Sequence, residues 1–192
     1  MKSKILFLKH FFKNPKMTGA IAPSSKHLAN EMLKSIDFEK DSVIVEYGPG
    51  DGVFTKEIIK QKTDKTILIV IELNGKMYDE LHSKYNHKNV YILNDSAENI
   101  PDILKDLGLN SIDYIVSGIP FTSIDKSISD NIFKNTIKCM GFKSKFITFQ
   151  YSKVKLKMFL NFFGEIKIKK VWRNIPPAYV FTCQVWHTPL RR

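Results

Sequence analysis

The sequence predicts a doubly wound α/β sheet with mostly parallel strands, and three observations lead there. The stretch Val43–Thr55, VIVEYGPGDGVFT, opens with a short buried strand from Val43 to Glu46. It continues as a glycine-rich turn in which Gly48, Gly50 and Gly52 alternate, and it becomes helical near Val53. The stretch Thr66–Glu72, TILIVIE, is a continuous apolar run rich in β-branched residues, the pattern of a parallel strand covered on both faces. Strand-like and helix-like segments then alternate along the chain, as βαβ units require.

Taken in order, residues 2–16 interleave bases with bulky apolar groups. Ile5, Leu8 and Phe12 share one helical face, Phe7 and Phe11 flank it, five lysines surround it, and Pro15 ends the pattern. This basic amphipathic segment suits either an interfacial helix on anionic lipid or a helix docked on the domain. Residues 17–24 form a glycine- and proline-marked loop. Ser24 or Ser25 then caps a helix to about Ile36, with Leu28, Ala29, Met32, Leu33 and Ile36 as its buried stripe. Helices are expected over Val53–Lys62, Gly75–Tyr85, Glu98–Leu107, Ile128–Met140 and Val154–Phe163. Further strands are expected at Val90–Leu93, Ile112–Val116 and Lys145–Gln150. Two more, Ile166–Arg173 and Tyr179–His187, flank the turn Asn174–Ala178.

A chain of 192 residues favours one domain over 1–192, and its 43% apolar content is ordinary for a globular protein. No apolar run approaches the ~20 residues of a membrane span. Ile5–Leu8 is too short for the apolar core of a signal peptide, so a cytoplasmic protein is expected. Cys139 and Cys183 read as reduced structural thiols, and the five histidines have no metal-ligand spacing, so no metal is expected. The net charge of +11 is segregated. Residues 1–40 carry 8 Lys against 3 acids, residues 41–142 carry 11 Lys against 15 acids, and residues 143–192 carry 11 Lys or Arg against Glu165 alone. Basic ends point to an anionic partner, either a membrane surface or nucleic acid.

The glycine turn is suited to a nucleotide-type ligand. Its glycines permit positive φ and close backbone approach, and the following helix N-terminus offers oriented N–H donors. The pattern E-x-G-x-G-x-G, with Glu46 at the strand end, differs from the G-x-G-x-x-G dinucleotide fingerprint and suits a cofactor without a pyrophosphate. Glu72 ends the second strand about twenty residues after Gly52, where a carboxylate can accept hydrogen bonds from a ribose diol. Asp95 ends the third strand, where it can accept from an adenine amino group. Ser117–Phe121, SGIPF, ends the fourth. All of these lie at the carboxyl ends of strands, where a doubly wound sheet binds its ligands.

The glycine loop, Glu72, Asp95 and SGIPF in this order resemble class I S-adenosylmethionine-dependent methyltransferases. Within them, NPKMTGAIAPSS (Asn14–Ser25), VEYGPGDGVFT, VIELN (Val70–Asn74), VSGIPF (Val116–Phe121) and VWRNIPPA (Val171–Ala178) resemble the short bacterial phospholipid N-methyltransferases, which act on phosphatidylethanolamine or related amino lipids. The resemblance implies a seven-stranded Rossmann-like methyltransferase sheet with a C-terminal antiparallel hairpin and N-terminal helices. The chain then divides into helix 1–16, a loop and helix over 17–41 covering the cofactor site, and a core over 42–192. It implies that Glu46, Gly48, Gly50, Gly52, Glu72, Leu73, Asp95, Ser96, Ala97 and Ser117 contact S-adenosylmethionine, with Pro23, Ser24 and Ser25 closing over its methionine end. The expected function is N-methylation of an amino phospholipid by a protein peripherally held at the inner face of the membrane.

The alternative is the related rRNA adenine N6-methyltransferases, whose corresponding motif is N-[LI]-P-[YF], its Asn holding the adenine amino group and its aromatic stacking on the flipped base. Gly118 stands where that Asn would be. The chain is also expected to lack their C-terminal helical RNA-binding domain. For the lipid reaction, backbone carbonyls at Ser117–Gly118 and a tyrosine hydroxyl, Tyr151 first and Tyr179 second, are expected to orient the amine. Phe121, with Tyr151, Trp172 and Tyr179, can offer an aromatic face to a quaternary cation. Arg173 suits a phosphodiester. Lys153, Lys155 and Lys157 suit a membrane surface.

Overall fold

The computed structural model describes residues 25–154 and 156–185. The expected helix over 2–16, the whole loop over 17–24 with Pro23 and Ser24, Lys155, and Trp186 and His187 lie outside the described residues.

Seven strands form one sheet: β1 (Val43–Tyr47), β2 (Ile67–Ile71), β3 (Val90–Leu93), β4 (Ile112–Ser117), β5 (Met140–Gln150), β6 (Glu165–Val171) and β7 (Ala178–Gln184). Their spatial order is β3-β2-β1-β4-β5-β7-β6. The first five are mutually parallel, and β7 runs antiparallel to both β5 and β6. Tyr47 is in register with Ile71 on one side and with Ser117 on the other, so the tips of β1, β2 and β4 are level. This is the seven-stranded Rossmann-like sheet that the sequence predicts, with its C-terminal antiparallel hairpin.

Among the described residues the helices are α1 (Lys26–Leu33), α2 (Val53–Gln61), α3 (Gly75–Lys84), α4 (Ile100–Asp106), α5 (Lys126–Cys139) and α6 (Leu156–Leu160). Two cores result, one on each face of the sheet. On one, Leu28, Met32, Phe54, Ile58 and Leu81 of α1–α3 pack on Ile44, Leu68, Val116 and Ile147. On the other, Ile100, Ile103, Ile128, Ile132 and Phe133 of α4 and α5 pack on Val45, Ile69, Ile115 and Phe146. The second core is aromatic: Phe133 stacks on Phe121 at 4.6 Å between centroids and also meets Phe146, Phe159 and Phe163. Cys139 and Cys183 are free, buried thiols in this same core, and burial raises both above the ordinary thiol range.

Local chemistry sets the boundaries. Ser25 caps α1 by accepting from the Leu28 N–H, and Asn74 caps α3 by accepting from Lys76 and Met77. The expected helix from Glu98 opens as a 3₁₀ turn, Ala97–Asn99, before α4, whose first turn carries Pro101. Strand β5 starts at Met140 rather than Lys145. A register irregularity between Ile112 and Tyr114 absorbs the extra residues, and Ser144 closes it, accepting from the Gly141 N–H and donating to the Ile112 carbonyl. The expected helix Val154–Phe163 contracts to α6. The N–H groups of Phe162 and Phe163 both turn back to the Phe159 carbonyl, and Gly164 then donates to Gln184 and starts the hairpin.

Candidate active site

The glycine loop after β1 is held by backbone bonds and two buried carboxyls. Gly48, Gly50 and Gly52 have φ of +60°, +59° and +76°, the left-handed region that glycine enters without strain. The Gly48 N–H donates to the Ile71 carbonyl at 3.0 Å, and the Gly118 N–H donates to the Tyr47 carbonyl at 2.8 Å. These bonds draw the loop after β4 against the loop after β1. A Cβ at Gly118 would lie 2.4 Å from the Gly48 carbonyl oxygen, a distance that real Cβ atoms do not reach.

Glu72 is fully buried just past the tip of β2. Its Oε1 accepts the Asn74 N–H at 2.8 Å, while Oε2 has no hydrogen-bond partner among the described residues. Burial raises its pKa, and the backbone N–H groups of Asn74, Gly50 and Leu73 oppose the rise. Glu46 is also fully buried, in β1. Its Oε2 accepts the Thr55 hydroxyl at 2.7 Å, and Oε1 is unpartnered. Desolvation pushes the Glu46 carboxyl up to about 8, against the Thr55 hydrogen bonds, and the charges of Glu72 and Asp51 add to it. Two adjacent strand ends thus each carry one buried carboxyl oxygen without a partner. Such atoms favour a ligand that brings hydroxyl donors or positive charge.

The cleft beside them has a cavity volume of about 40 Å³. Gly48, Glu72, Leu73, Asp95, Ser96 and Ala97 form its polar rim, and Ile71, Ile119, Ile124, Ile128 and Ile132 its apolar wall. Asp95 accepts at Oδ1 from the Ser96 N–H and from Asn99 Nδ2, both at 2.7 Å, and Oδ2 has no hydrogen bond among the described residues.

The structure separates the remaining expected residues. Gly52 faces α3, and a Cβ there would lie 2.7 Å from Leu81 Cδ2, so its role is to let α2 start. Ser117 is fully buried, its hydroxyl accepting from the Ile119 N–H and its carbonyl from the Thr148 hydroxyl. The Gly118 carbonyl has no hydrogen bond among the described residues. Phe121 corrects the expectation of a substrate contact: it is 1% exposed and belongs to the aromatic core, because the chain after Gly118 turns its ring inward onto Phe133. Tyr151 and Tyr179 cannot share one acceptor amine, because they pack on opposite faces of the sheet. Arg173 is exposed beside Trp172 and has no ion pair among the described residues. No aromatic cage therefore forms from Phe121, Tyr151, Trp172 and Tyr179.

Sequence reasoning missed two residues. Asn174 is buried, accepts from the Ser25 N–H at 3.2 Å and donates to the Pro176 carbonyl at 2.8 Å. It ties the start of α1 to the loop between β6 and β7. Gln150, at the tip of β5, is buried with an unpartnered amide Nε2. A polar residue in a turn or at a strand end carries no local mark of burial, so neither stood out.

Residues 9–137 match the family model described as ribosomal RNA adenine dimethylase. The chain belongs to the ribosomal RNA adenine dimethylase family. Within the similarity range of this family, the chain is 29% identical over 187 residues to an ornithine lipid N-methyltransferase of Singulisphaera acidiphila, covering 96% of this chain and 97% of that protein. It is 31% identical over 153 residues to ribosomal RNA small subunit methyltransferase A of Mycoplasma capricolum, covering 78% of this chain and 53% of that protein. The chain thus spans about half the length of that rRNA enzyme. A solved SAM-dependent methyltransferase from Aquifex aeolicus superposes with a TM-score of 0.62 at 17% identity, over 90% of this chain and 98% of that one. The protein is a methyltransferase that uses S-adenosylmethionine. The unpartnered oxygens of Glu46 and Glu72 and the open glycine loop fit that cationic, hydroxyl-bearing cofactor.

The Glu46 carboxyl gives a pH signature in the absence of ligand. Its pKa rises from 4.5 to about 8 on folding, so between these values the folded state keeps a proton that the unfolded chain releases. Its contribution to stability is therefore greatest below pH 4.5 and falls as pH rises toward 8. Glu46→Gln should gain thermal stability over the wild type progressively from pH 5 to pH 8. A difference between the two melting curves that stays constant with pH would show that Glu46 is already ionised.

Proposed function

We propose that the protein transfers methyl groups from S-adenosylmethionine to the amine of an amino phospholipid head group, of the phosphatidylethanolamine type, at the inner membrane surface. The observation that carries this reading is the contact of Gly118 with the Gly48 carbonyl oxygen. In this backbone no side chain fits at position 118, so the wall of the acceptor site has no side-chain amide to hold a nucleobase. Phe121 is likewise committed to the core rather than free to stack on a base. The match along nearly the whole length of an ornithine lipid N-methyltransferase supports the same reading.

The cofactor supplies a sulfonium methyl, which is already electrophilic. The residues of the cleft have to bind and orient. Glu72 Oε2 would accept the ribose hydroxyls and Asp95 Oδ2 the adenine amino group; both residues line the cleft. The backbone of Gly48 and Gly50 would hold the methionine portion, with the buried Glu46 carboxyl in the strand that leads into this loop. An alkylammonium, with a pKa of roughly 8–10 in water, must lose a proton before it attacks. Desolvation against the isoleucine wall lowers that pKa, so no strong base is needed. The Gly118 carbonyl, which has no hydrogen bond among the described residues, would accept from the amine N–H and orient it. Tyr151 stays neutral, because burial raises its phenol against the pull of Asn174. It acts as a hydrogen-bonding group rather than a base.

No helix among the described residues is long and apolar enough to cross a membrane. The basic amphipathic segment over residues 2–16 and the basic stretch over residues 143–192 support reversible attachment to an anionic leaflet. The second reading, adenine N6-methylation of rRNA, is favoured by the family match and by the rRNA relatives.

Two experiments follow. Glu72→Gln should weaken S-adenosylmethionine binding about tenfold or more, the scale of a charge-assisted hydrogen bond, and unchanged affinity by calorimetry removes Glu72 from the ribose site. With radiolabelled cofactor, and with phosphatidylethanolamine vesicles and bulk RNA as separate acceptors, label should appear in mono-, di- or trimethylated lipid. Label in RNA alone overturns the lipid reading.

A further inference from the structure

We propose that the loops over residues 151–154 and 172–177 form a docking rim that seats the protein on an anionic bilayer with the cleft turned toward the lipid head groups. This rests on the amino-lipid reading and adds to it the surface and the orientation.

The topology puts both loops at one edge. Strand β5 is parallel to β4, β7 is antiparallel to β5, and β6 is antiparallel to β7. Gln150, Val171 and Ala178 therefore lie at the same edge of the sheet as Ser117 and the cofactor cleft. At 4.7–4.9 Å per strand, the tip of β6 is roughly 14 Å from the tip of β4. The side chains join the two loops into one patch. The Lys153 Nζ lies 5.2 Å and the Lys170 Nζ 5.5 Å from the centre of the Tyr179 ring, and the Lys170 Nζ lies 3.4 Å from the Trp172 ring.

The patch is both apolar and cationic. Val154 is 82% exposed, Trp172 70% and Ile175 83%. Scattered exposed apolar residues are ordinary on a protein surface, but these three sit on two adjoining loops with Lys153, Lys170 and Arg173. None of those three cations has an ion pair among the described residues. Glu31 of α1 lines the groove beside Trp172 and Arg173 without pairing with either. Glu165, the one acid after residue 142, is at the opposite end of β6 and pairs with Lys167 at 3.3 Å. A nucleic acid would answer the cations but would leave Val154 and Ile175 against water. An anionic bilayer answers both: apolar tips enter the acyl boundary, Trp172 sits at the interface, and the bases face the head groups. Docked this way, an amino lipid can reach the tip of β4 without leaving its leaflet.

The test uses the full chain. Trp172 and Trp186 are its two tryptophans, so Trp186→Phe leaves Trp172 as the only indole reporter. On phosphatidylglycerol–phosphatidylethanolamine vesicles its emission should shift to the blue, and on phosphatidylcholine vesicles it should not. The exposed double variant Val154→Ser/Ile175→Ser should lose at least tenfold in vesicle partitioning and in methyl transfer to vesicle lipid. Where the wild type methylates a short-chain phosphatidylethanolamine dissolved as monomers, the variant should match it. An unshifted Trp172 emission, wild-type partitioning of the double variant, or retention of RNA with no vesicle binding each overturns the proposal. Reduced partitioning of the variant combined with no methylation of any lipid by the wild type upholds the rim and rejects the acceptor reading alone.

Discussion

The contact between Gly118 and the Gly48 carbonyl is the constraint on which the site depends. It is made possible by the Gly118 N–H bond to Tyr47, which brings the loop after β4 onto the loop after β1. One consequence is geometric: the two loops close over the level tips of β1 and β4, and the cofactor cleft opens on the side of β2 and β3. Another is chemical. No side chain fits at position 118, and Ile119, the next residue, belongs to the apolar wall of the cleft. A third lies in the packing, because the chain leaving Gly118 drives Phe121 into the aromatic core that anchors α5 and α6.

The buried carboxyls supply the complementary half of the design. Among the described residues neither Glu46 nor Glu72 has a cation beside it, and each keeps one oxygen unpartnered in an interior that penalises both charge and unmet hydrogen bonds. That arrangement costs stability in the free protein and is relieved by a ligand that brings hydroxyls and positive charge. The same logic explains why the pocket is narrow and its wall aliphatic: electrostatic preference is strongest where water is excluded.

Much of this was legible in the sequence because it is written in short-range patterns. The glycine spacing, the apolar run ending in Glu72 and the acid at Asp95 each fall within a single βα unit, and the structure gathers Glu72, Asp95, Ser96 and Ala97 into one cleft as expected. The antiparallel hairpin also followed from local turn residues. What was not legible depends on long-range placement. Phe121 adjoins the site in sequence, and only the packing of α5 shows that its ring points away. Tyr151 and Tyr179 are both tyrosines near strand tips, but the alternation of side chains along paired strands puts them on opposite faces. Asn174 and Gln150 became visible through burial, and the rim through the neighbouring loops that carry Lys153 and Trp172.

The most direct measurement is on Gly118→Asn, which restores the side chain that the adenine-modifying relatives are expected to carry. If the contact with Gly48 is as close as the structure has it, the variant is overpacked by about 1–3 kcal/mol. It should then melt roughly 2–12 °C below the wild type, lose affinity for S-adenosylmethionine, and gain no activity on RNA. A variant with wild-type melting temperature and cofactor affinity that methylates adenine in RNA would contradict the account, because position 118 would then be open to a side chain and the acceptor a nucleobase.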